Sequence, residues 1–322
     1  MDALVRYFAA EQPIINTFLH AEADKLDPVV APVARHVLGA GGKRLRPLLT
    51  LLTARALGQA TDNAYPLACG LEMLHSATLL HDDIIDGADL RRGVPTAHTT
   101  FGTTLTVLAG DILLALANSL AAAYGDPRLN AAMADAIVRT ATGEIQEIAH
   151  LRNAGLTREQ YLEIITGKTA YLIMAACRCG ALLAHATDDQ LAAAEAFGLN
   201  LGIAFQLVDD ALDYGASREV AGKPVGADLR EGKLTLPLIL YLERADAAQR
   251  QAFAARFTAN SFTDDDIALL TARVAEQGFD AATRDFAGTY LDKAAAALAR
   301  FPASEERSLL EQALAYVQNR DK

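Results

Sequence analysis

Apolar residues recur at three- and four-residue spacing along almost the whole chain, with Ala and Leu dominating those positions, and β-branched alternation over the length of a strand is hard to find. The pattern predicts an all-α fold. Breaks carrying Gly, Pro or Asp at 39–42, 92–95, 125–127, 154–155, 187–189, 222–226 and 301–302 separate the helical windows. Thr157-x-x-Gln160 and Thr263-x-x-Asp266 have the form of capping boxes, in which two side chains satisfy free N–H groups of a first helical turn. No Pro- or Ser-rich linker and no low-complexity tract divides the pattern, so residues 1–322 are expected to form one domain, a single large helical bundle. The part after about residue 245 is more charged and carries no chemical motif; it is expected to be a packing and lid region of that domain.

Composition narrows the function classes. With 52% hydrophobic and 21% charged residues over 322 positions, the chain can bury a large core. Its 29 Lys+Arg against 40 Asp+Glu give a net charge of −11, so no general basic field exists to hold nucleic acid or an anionic membrane. Any anion site must be a local basic cluster. Cys69, Cys177 and Cys179 make neither a disulfide framework nor a zinc site, which predicts a reducing cytoplasm. The first residues lack the charged-then-apolar order of a signal peptide. The most apolar stretch, 103–124, carries Asp111 in its middle, and the cost of that charge in lipid predicts a buried helix rather than a membrane span.

One short motif occurs twice: Asp82-Asp83-x-x-Asp86 is echoed by Asp209-Asp210-x-x-Asp213, with no wider repeat around it. On a helix, residues four apart share a face, so Asp82 and Asp86 project together with Asp83 ~100° round, and the second cluster repeats the arrangement. His75 lies on the first stripe beneath Asp82, and Gln206 on the second beneath Asp209. Apolar residues flank both. Like charges one turn apart in such surroundings repel by roughly a few kcal/mol at an effective dielectric of ~20, so a cation is expected at each cluster. Carboxylates without His or Cys select hard ions, Mg2+ above all where phosphate oxygens complete the shell. The ordinary alternative is a solvated helix face or N-cap. Asp188-Asp189 after Thr187 and Asp264-Asp265-Asp266 after Thr263 fit that alternative, because each run sits at a helix start and neither has an Asp four residues after its first member.

Basic residues gather at a few points. Gly41-Gly42-Lys43-Arg44-Leu45-Arg46-Pro47 sets three cations behind a glycine pair, and Lys43 and Arg46 can aim together at a phosphate from a helix start. Arg91 and Arg92 follow Asp86, just before Gly93 and Pro95 are expected to end the helix, and two guanidinium forks can hold two polyanions. Lys168-Thr169 interrupts a helix whose next residues, 170–177, begin uncharged; a buried Lys needs a partner, and a phosphate is a good one. Lys223 and Lys233 flank the segment 224–228. Two carboxylate clusters, divalent ions and these cationic points, without a Gly-x-x-x-x-Gly-Lys-Ser/Thr loop, point to metal-assisted departure of a diphosphate in a water-poor cavity.

With these motifs the chain resembles the trans-isoprenyl diphosphate synthases, most closely the long-chain polyprenyl branch that includes bacterial octaprenyl diphosphate synthase. The likeness rests on Gly-Gly-Lys-Arg-Leu-Arg-Pro at 41–47, Leu-Leu-His-Asp-Asp-Ile-Ile-Asp at 79–86, Leu-Arg-Arg-Gly at 90–93, Gly-Lys-Thr-Ala at 167–170, Phe-Gln-Leu-Val-Asp-Asp-Ala-Leu-Asp-Tyr at 205–214 and Gly-Lys-Pro-Val-Gly-Ala-Asp-Leu-Arg-Glu-Gly-Lys at 222–233, in family order. It implies an isoprenoid-synthase bundle around a deep central cavity, a cytoplasmic homodimer, and three Mg2+ ions per active site. Asp82, Asp83, Asp86, Asp209, Asp210 and Asp213 match the metal ligands. Lys43, Arg46, His75 and Arg92 match the groups that grip isopentenyl diphosphate, while Arg91, Lys168, Lys223 and Lys233 match the holders of the allylic diphosphate. Thr169 and Gln206, with Lys168, match the residues at the reacting carbons. The implied reaction is ionisation of the allylic diphosphate, attack by the isopentenyl double bond, and loss of a proton to the released pyrophosphate, giving a lipid that passes to the membrane.

Three positions depart from the pattern: Gly87 where many long-chain members carry Glu, Glu147 where Gln is usual, and Leu234 where Pro often follows the lysine. Only Glu147 changes the charge of the site. Ala77 and Thr78, about 6–8 Å below Asp82 at ~1.5 Å rise per residue, are the expected chain-length positions. Both are small, and Ala115, Ala117 and 121–123 are small too, so a long product of C30–C40 is expected ahead of a C20 geranylgeranyl product. Two other classes compete. A metal-dependent phosphohydrolase, faintly matched by His75 and His81-Asp82, leaves the second cluster unexplained. A non-catalytic synthase subunit does not account for intact metal motifs.

Overall fold

The computed structural model describes residues 2–58, 63–215 and 225–320. In chain order these form α1 (Asp2–Asp24), α2 (Ala31–Gly39), α3 (Leu45–Ala56), α4 (Tyr65–Ile85), β1 (Leu90–Arg91), β2 (Val94–Pro95), α5 (Ala97–Phe101), α6 (Thr103–Ala122), α7 (Pro127–Ala149) and α8 (Arg158–Ile165). After a π-helical turn (Thr166–Ala170) come α9 (Tyr171–Leu183), α10 (Asp188–Gly215), α11 (Ala227–Glu231), α12 (Leu236–Arg244), α13 (Ala247–Thr258), α14 (Asp264–Glu276), α15 (Phe279–Leu298) and α16 (Glu305–Gln318). The all-α expectation holds, and the boundaries follow local chemistry. Thr157 with Gln160 and Thr263 with Asp266 close reciprocal capping boxes, and Asp246 with Gln249 adds a third. The Asp188 and Asp264 runs open helices, as acids do at the positive end of a macrodipole.

One boundary differs from the sequence expectation. Helix α4 ends at Ile85 with Asp86 as its C-cap, and Arg91–Arg92 do not continue it. Leu90 pairs with Pro95 and Arg91 with Val94 in a short antiparallel hairpin whose turn places Arg92 at φ +54° beside Gly93 at +78°. A lone glycine before Pro is a hairpin turn here, since Pro95 sits at the edge of a two-stranded pair where no ladder N–H is missed.

The chain divides into two compact units. The first comprises Met1–Ile137, Ala175–Glu195 and Arg300–Leu310; the second comprises Val138–Met174, Ala196–Ala299 and Glu311–Lys322. In the first, α4 buries Leu67, Leu71, Leu74 and Ala77, and α3 buries Leu48, Leu49, Leu51 and Leu52. Small residues set the spacing. A β-carbon at Gly70 would touch the Ala117 carbonyl of α6 at 3.4 Å, one at Gly110 would collide with the His81 ring, and one at Gly180 of α9 would come within 2.5 Å of the Thr50 carbonyl. Arg55 ties α3 to α1 and α4 through Tyr7 (2.8 Å) and Glu11 (2.7 Å), with Tyr65 closing on Glu11 at 2.6 Å.

Helix α6 corrects a second expectation. It was expected to be buried, yet the structure buries only 33% of its most apolar window. Ala109, Leu113 and Ala117 face inward, while Val107, Leu108 and Asp111 are exposed. By length and composition alone, α6 and α10 are apolar enough to cross a membrane; α10 is 56% buried.

In the second unit, Gly143 of α7, Gly167 of the π turn and Gly202 of α10 bring three backbones together. A β-carbon at Gly143 would overlap the Lys168 backbone nitrogen, one at Gly167 would stand 2.9 Å from the Gly143 α-carbon, and one at Gly202 would stand 2.6 Å from the Ala170 α-carbon. The π turn widens the helix by one residue at Lys168-Thr169, where the sequence predicts an interruption.

Candidate active site

In the first unit the glycine pair at 41–42 turns through positive φ, and Arg44 follows in the left-handed region at +50° as the N-cap of α3. That geometry sends Arg44 inward. Its guanidinium pairs with buried Glu72 (3.0 Å), bonds Asn16 (2.9 Å) and reaches the Leu38 carbonyl. Lys43 stays exposed, and Arg46 turns in beside His75, its Nε buried without a hydrogen-bond partner. Arg92 reaches back to the Gly41 carbonyl. Burial pulls Arg46 down to about 10; the Glu72 carboxylate opposes the shift and Arg92 reinforces it. Burial, followed by Arg46, Arg92, Arg91 and Arg44, drives the His75 imidazole well below its usual value, so it is neutral near pH 7. Four arginines and a neutral imidazole form a local basic cluster in a chain of net charge −11, a candidate anion site.

The first aspartate cluster borders this site. Asp83 is buried and accepts from Arg91 Nε at 2.7 Å, Asp82 is half-buried, and Asp86 is exposed at the helix end. The charges that act on His75 are those of Arg46, Arg92, Arg91 and Arg44. Ala77 is fully buried, and the half-buried Thr78 donates its hydroxyl to the His75 carbonyl at 2.8 Å.

The second cluster lies against a cavity of about 110 Å³ within the second unit, lined by Glu147, Tyr161, Lys168, Thr169, Gln206, Asp210, Asp228 and Lys233 together with apolar Leu156, Ile164, Ile165 and Leu234. Gln206 bonds Asp210 rather than Asp209, donating Nε2–H to Oδ1 at 2.7 Å, because four residues bring side chains closer to register than three. The Tyr161 hydroxyl donates to the other oxygen at 2.5 Å, and Thr169 donates to Gln206 Oε1 at 2.9 Å. Asp213 accepts N–H bonds from Gly226, Ala227 and Asp228 at 3.0–3.1 Å. Asp209, 49% exposed, meets Arg320 at 3.1 Å, whose guanidinium also lies over the Phe205 ring. Lys168 and Lys233 line the cavity but point to carboxylates: Lys168 to Glu147 (2.5 Å) and Glu144 (2.8 Å), Lys233 to Glu231 (2.7 Å) and Glu147 (3.3 Å). Lys223 lies outside the described residues.

Among the described residues no three His, Cys, Asp or Glu side chains already converge in a metal-binding group. The donor chemistry nevertheless fits a hard divalent cation. Burial raises Asp210 to about 7 despite its Tyr161 and Gln206 hydrogen bonds, with Asp209 and Glu147 adding to the rise. Burial raises Asp213 against its three backbone N–H bonds, and burial with Asp210 and Asp213 raises Asp228 well above the usual range. Oxygen ligands whose negative charge the protein leaves under-compensated are what Mg2+ or Ca2+ binds.

Sequence reasoning missed Glu72, Glu144 and Tyr161. Two signals were present: Glu72 is a charge inside an otherwise apolar helical run three residues before His75, and Tyr161 lies seven residues before Lys168. Nothing in the sequence marked Glu144 as a partner of Lys168.

The fold superposes on solved all-α prenyl diphosphate synthases over its full length. A decaprenyl diphosphate synthase from Rhodobacter capsulatus matches with a TM-score of 0.92 at 37% identity, covering 100% of this chain and 99% of that one. A polyprenyl synthase from Caulobacter crescentus CB15, solved with calcium and isoprenyl diphosphate, matches with a TM-score of 0.92 at 39% identity, covering 100% and 98%. These similarities define the class, a prenyltransferase. Residues 27–273 match the polyprenyl synthetase family, and the octaprenyl diphosphate synthase of Haemophilus influenzae is 38% identical over 73% of this chain and 71% of its own length. The chain belongs to the polyprenyl synthetase family.

Proposed function

We propose that the chain condenses isopentenyl diphosphate with an allylic diphosphate to build a long-chain all-trans polyprenyl diphosphate, C30–C40 in length. The observation that carries this reading is that each aspartate cluster borders a basic group: Asp83 through Arg91 in the first unit, and Asp210 in the cavity of Lys168 and Lys233 in the second. The octaprenyl and decaprenyl relatives support a long product over a C20 one. Residues 1–322 are read as a single polyprenyl synthase domain.

In this reading Lys43, Arg46, His75 and Arg92 take the diphosphate of isopentenyl diphosphate. Arg46 brings an unpartnered buried Nε, and neutral His75 offers a hydrogen bond without adding charge. Arg91, Lys168, Lys223 and Lys233 take the allylic diphosphate. Asp82, Asp83, Asp86, Asp209, Asp210 and Asp213 would hold Mg2+, which when bound would supply charge neutralisation to the departing diphosphate. The calcium in the Caulobacter structure supports divalent-metal use. Tyr161 and Gln206 fix the Asp210 carboxylate in one orientation. Because Thr169 spends its proton on Gln206 Oε1, its lone pairs remain to face an allylic cation, and the apolar lining keeps water from that cation. The proton lost after the new C–C bond forms passes to the released pyrophosphate, so no side chain serves as a dedicated base.

Exposed Val107 and Leu108 on α6, and Val138, Ile145 and Ile148 on α7, support a homodimer. Three buried free thiols support a cytoplasmic protein whose product passes to the membrane. The direct test incubates the purified protein with Mg2+, isopentenyl diphosphate and farnesyl diphosphate and reads the product by mass spectrometry. Elongation to C30–C40 is expected; phosphate release without elongation overturns the reading in favour of a hydrolase, and no turnover in favour of a non-catalytic subunit.

A further inference from the structure

Within the cavity of the second unit, one carboxylate oxygen meets both lysines. Glu147 Oε1 lies 2.5 Å from Lys168 Nζ and 3.3 Å from Lys233 Nζ, the point at which a single diphosphate oxygen would bridge the two. The surroundings allow no slack in charge. Glu144 adds a second carboxylate to Lys168 at 2.8 Å and Glu231 adds another to Lys233 at 2.7 Å, so three carboxylates face two ammonium groups before any ligand arrives. Asp210 and Asp228 line the same cavity.

Resting on the reading that Lys168 and Lys233 hold the allylic diphosphate, we infer that Glu147 is a specificity-determining residue: it occupies the bridging position between the lysines and restricts the site to the metal complex of a diphosphate, excluding the bare anion. Two physical effects combine. A bare diphosphate must displace Glu147 from both lysines and then lie beside it in a cavity of low dielectric, where like charges repel strongly. A metal-bound diphosphate arrives with its charge largely neutralised, and the cation gives the displaced carboxylate a new counter-charge. Glu147 is 19% exposed, too enclosed for solvent to screen the repulsion. A neutral amide of the same shape at this position leaves both lysines open to an anion without metal.

The test is calorimetric titration of inorganic pyrophosphate into the purified full-length protein, once with excess Mg2+ and once with EDTA, for the unmodified chain, Glu147→Gln and Glu163→Gln. Glu163 is exposed, so its variant makes the same change in net charge away from the cavity. The arginine cluster of the first unit is expected to give all three proteins one and the same metal-independent binding event, and the unmodified chain and Glu163→Gln to show a second event only with Mg2+. Glu147→Gln is expected to show that second event in EDTA as well, at least ~10-fold tighter than any second event of the unmodified chain. Equal behaviour of Glu147→Gln and the unmodified chain in EDTA overturns the inference while leaving the diphosphate site in place, and so does an equal gain in Glu163→Gln. Absence of that second event in all three proteins with Mg2+ present overturns the diphosphate reading itself.

Discussion

His75 is ringed by Arg46, Arg92, Arg91 and Arg44, so a proton on its imidazole would add a fifth charge to a buried cationic group. Its folded value lies well below the ordinary ~6.5 that it regains on unfolding. Above pH 6.5 both states are neutral and His75 contributes nothing to pH dependence; below it, the unfolded chain takes up a proton that the folded chain refuses. Stability is therefore lost as pH falls through 6.5, by at most about 1.4 kcal/mol per pH unit. Urea midpoints of the native protein and His75→Gln between pH 7 and 5.5 should diverge by that slope, and an imidazole resonance of His75 titrating at pH 6 or above would contradict the assignment. The proposed reading also assigns chain length to single residues, Ala77 and Thr78. Ala77 is fully packed, so Ala77→Phe strains the core by about 1–3 kcal/mol and confuses length with folding. Thr78 is only half-buried, and Thr78→Phe is expected to shift the product to shorter chains at a smaller cost in stability. An unchanged mass spectrum would assign the limit on chain length to other residues.

Helices carry the site by coming unusually close. Gly143 admits the π turn that presents Lys168, and a methyl group there overlaps backbone rather than a side chain that could move aside. Gly143→Ala is expected to lower stability by about 1–3 kcal/mol and to weaken Mg2+-dependent pyrophosphate binding. Gly288 in α15 has nothing within 4 Å of its missing β-carbon, so Gly288→Ala should instead stabilise by up to about 1 kcal/mol. Opposite shifts in the urea midpoint check the contrast; two shifts of one sign would remove it. Periodicity reveals such elements unevenly. The capping boxes at Thr157 and Thr263 and the break at Lys168 were legible because their causes are local. The 90–95 hairpin was not, since a glycine before a proline reads alike for a helix stop and a turn. Periodicity says which residues share a face, not what the face meets: α6 has the composition of a core helix but turns Val107 and Leu108 outward, and Lys168 and Lys233, matched to holders of a diphosphate, meet Glu144, Glu147 and Glu231.

Across the whole molecule, the proposed chemistry requires both aspartate clusters, 82–86 and 209–213, for one turnover. That requirement has a thermodynamic signature independent of any distance. Groups that complete one charge-neutral assembly are non-additive: once either half is lost, the metal complex no longer forms, and deleting the other half removes little more. Asp82→Ala and Asp209→Ala are each expected to reduce kcat by roughly 10²–10³ with helicity unchanged. Asp82 is half-buried and Asp209 is half-exposed, so neither substitution opens the core. The double variant should then lose far less than the product of the two single effects, and its Mg2+-dependent pyrophosphate binding should be no weaker than that of the poorer single variant. Independent metal sites predict the reverse, with the two losses multiplying and each single variant keeping half of the metal-dependent heat. Turnover measured across the four proteins over a range of Mg2+ concentrations distinguishes the two outcomes, and fully multiplicative losses would separate the clusters into two sites and remove the single-assembly mechanism.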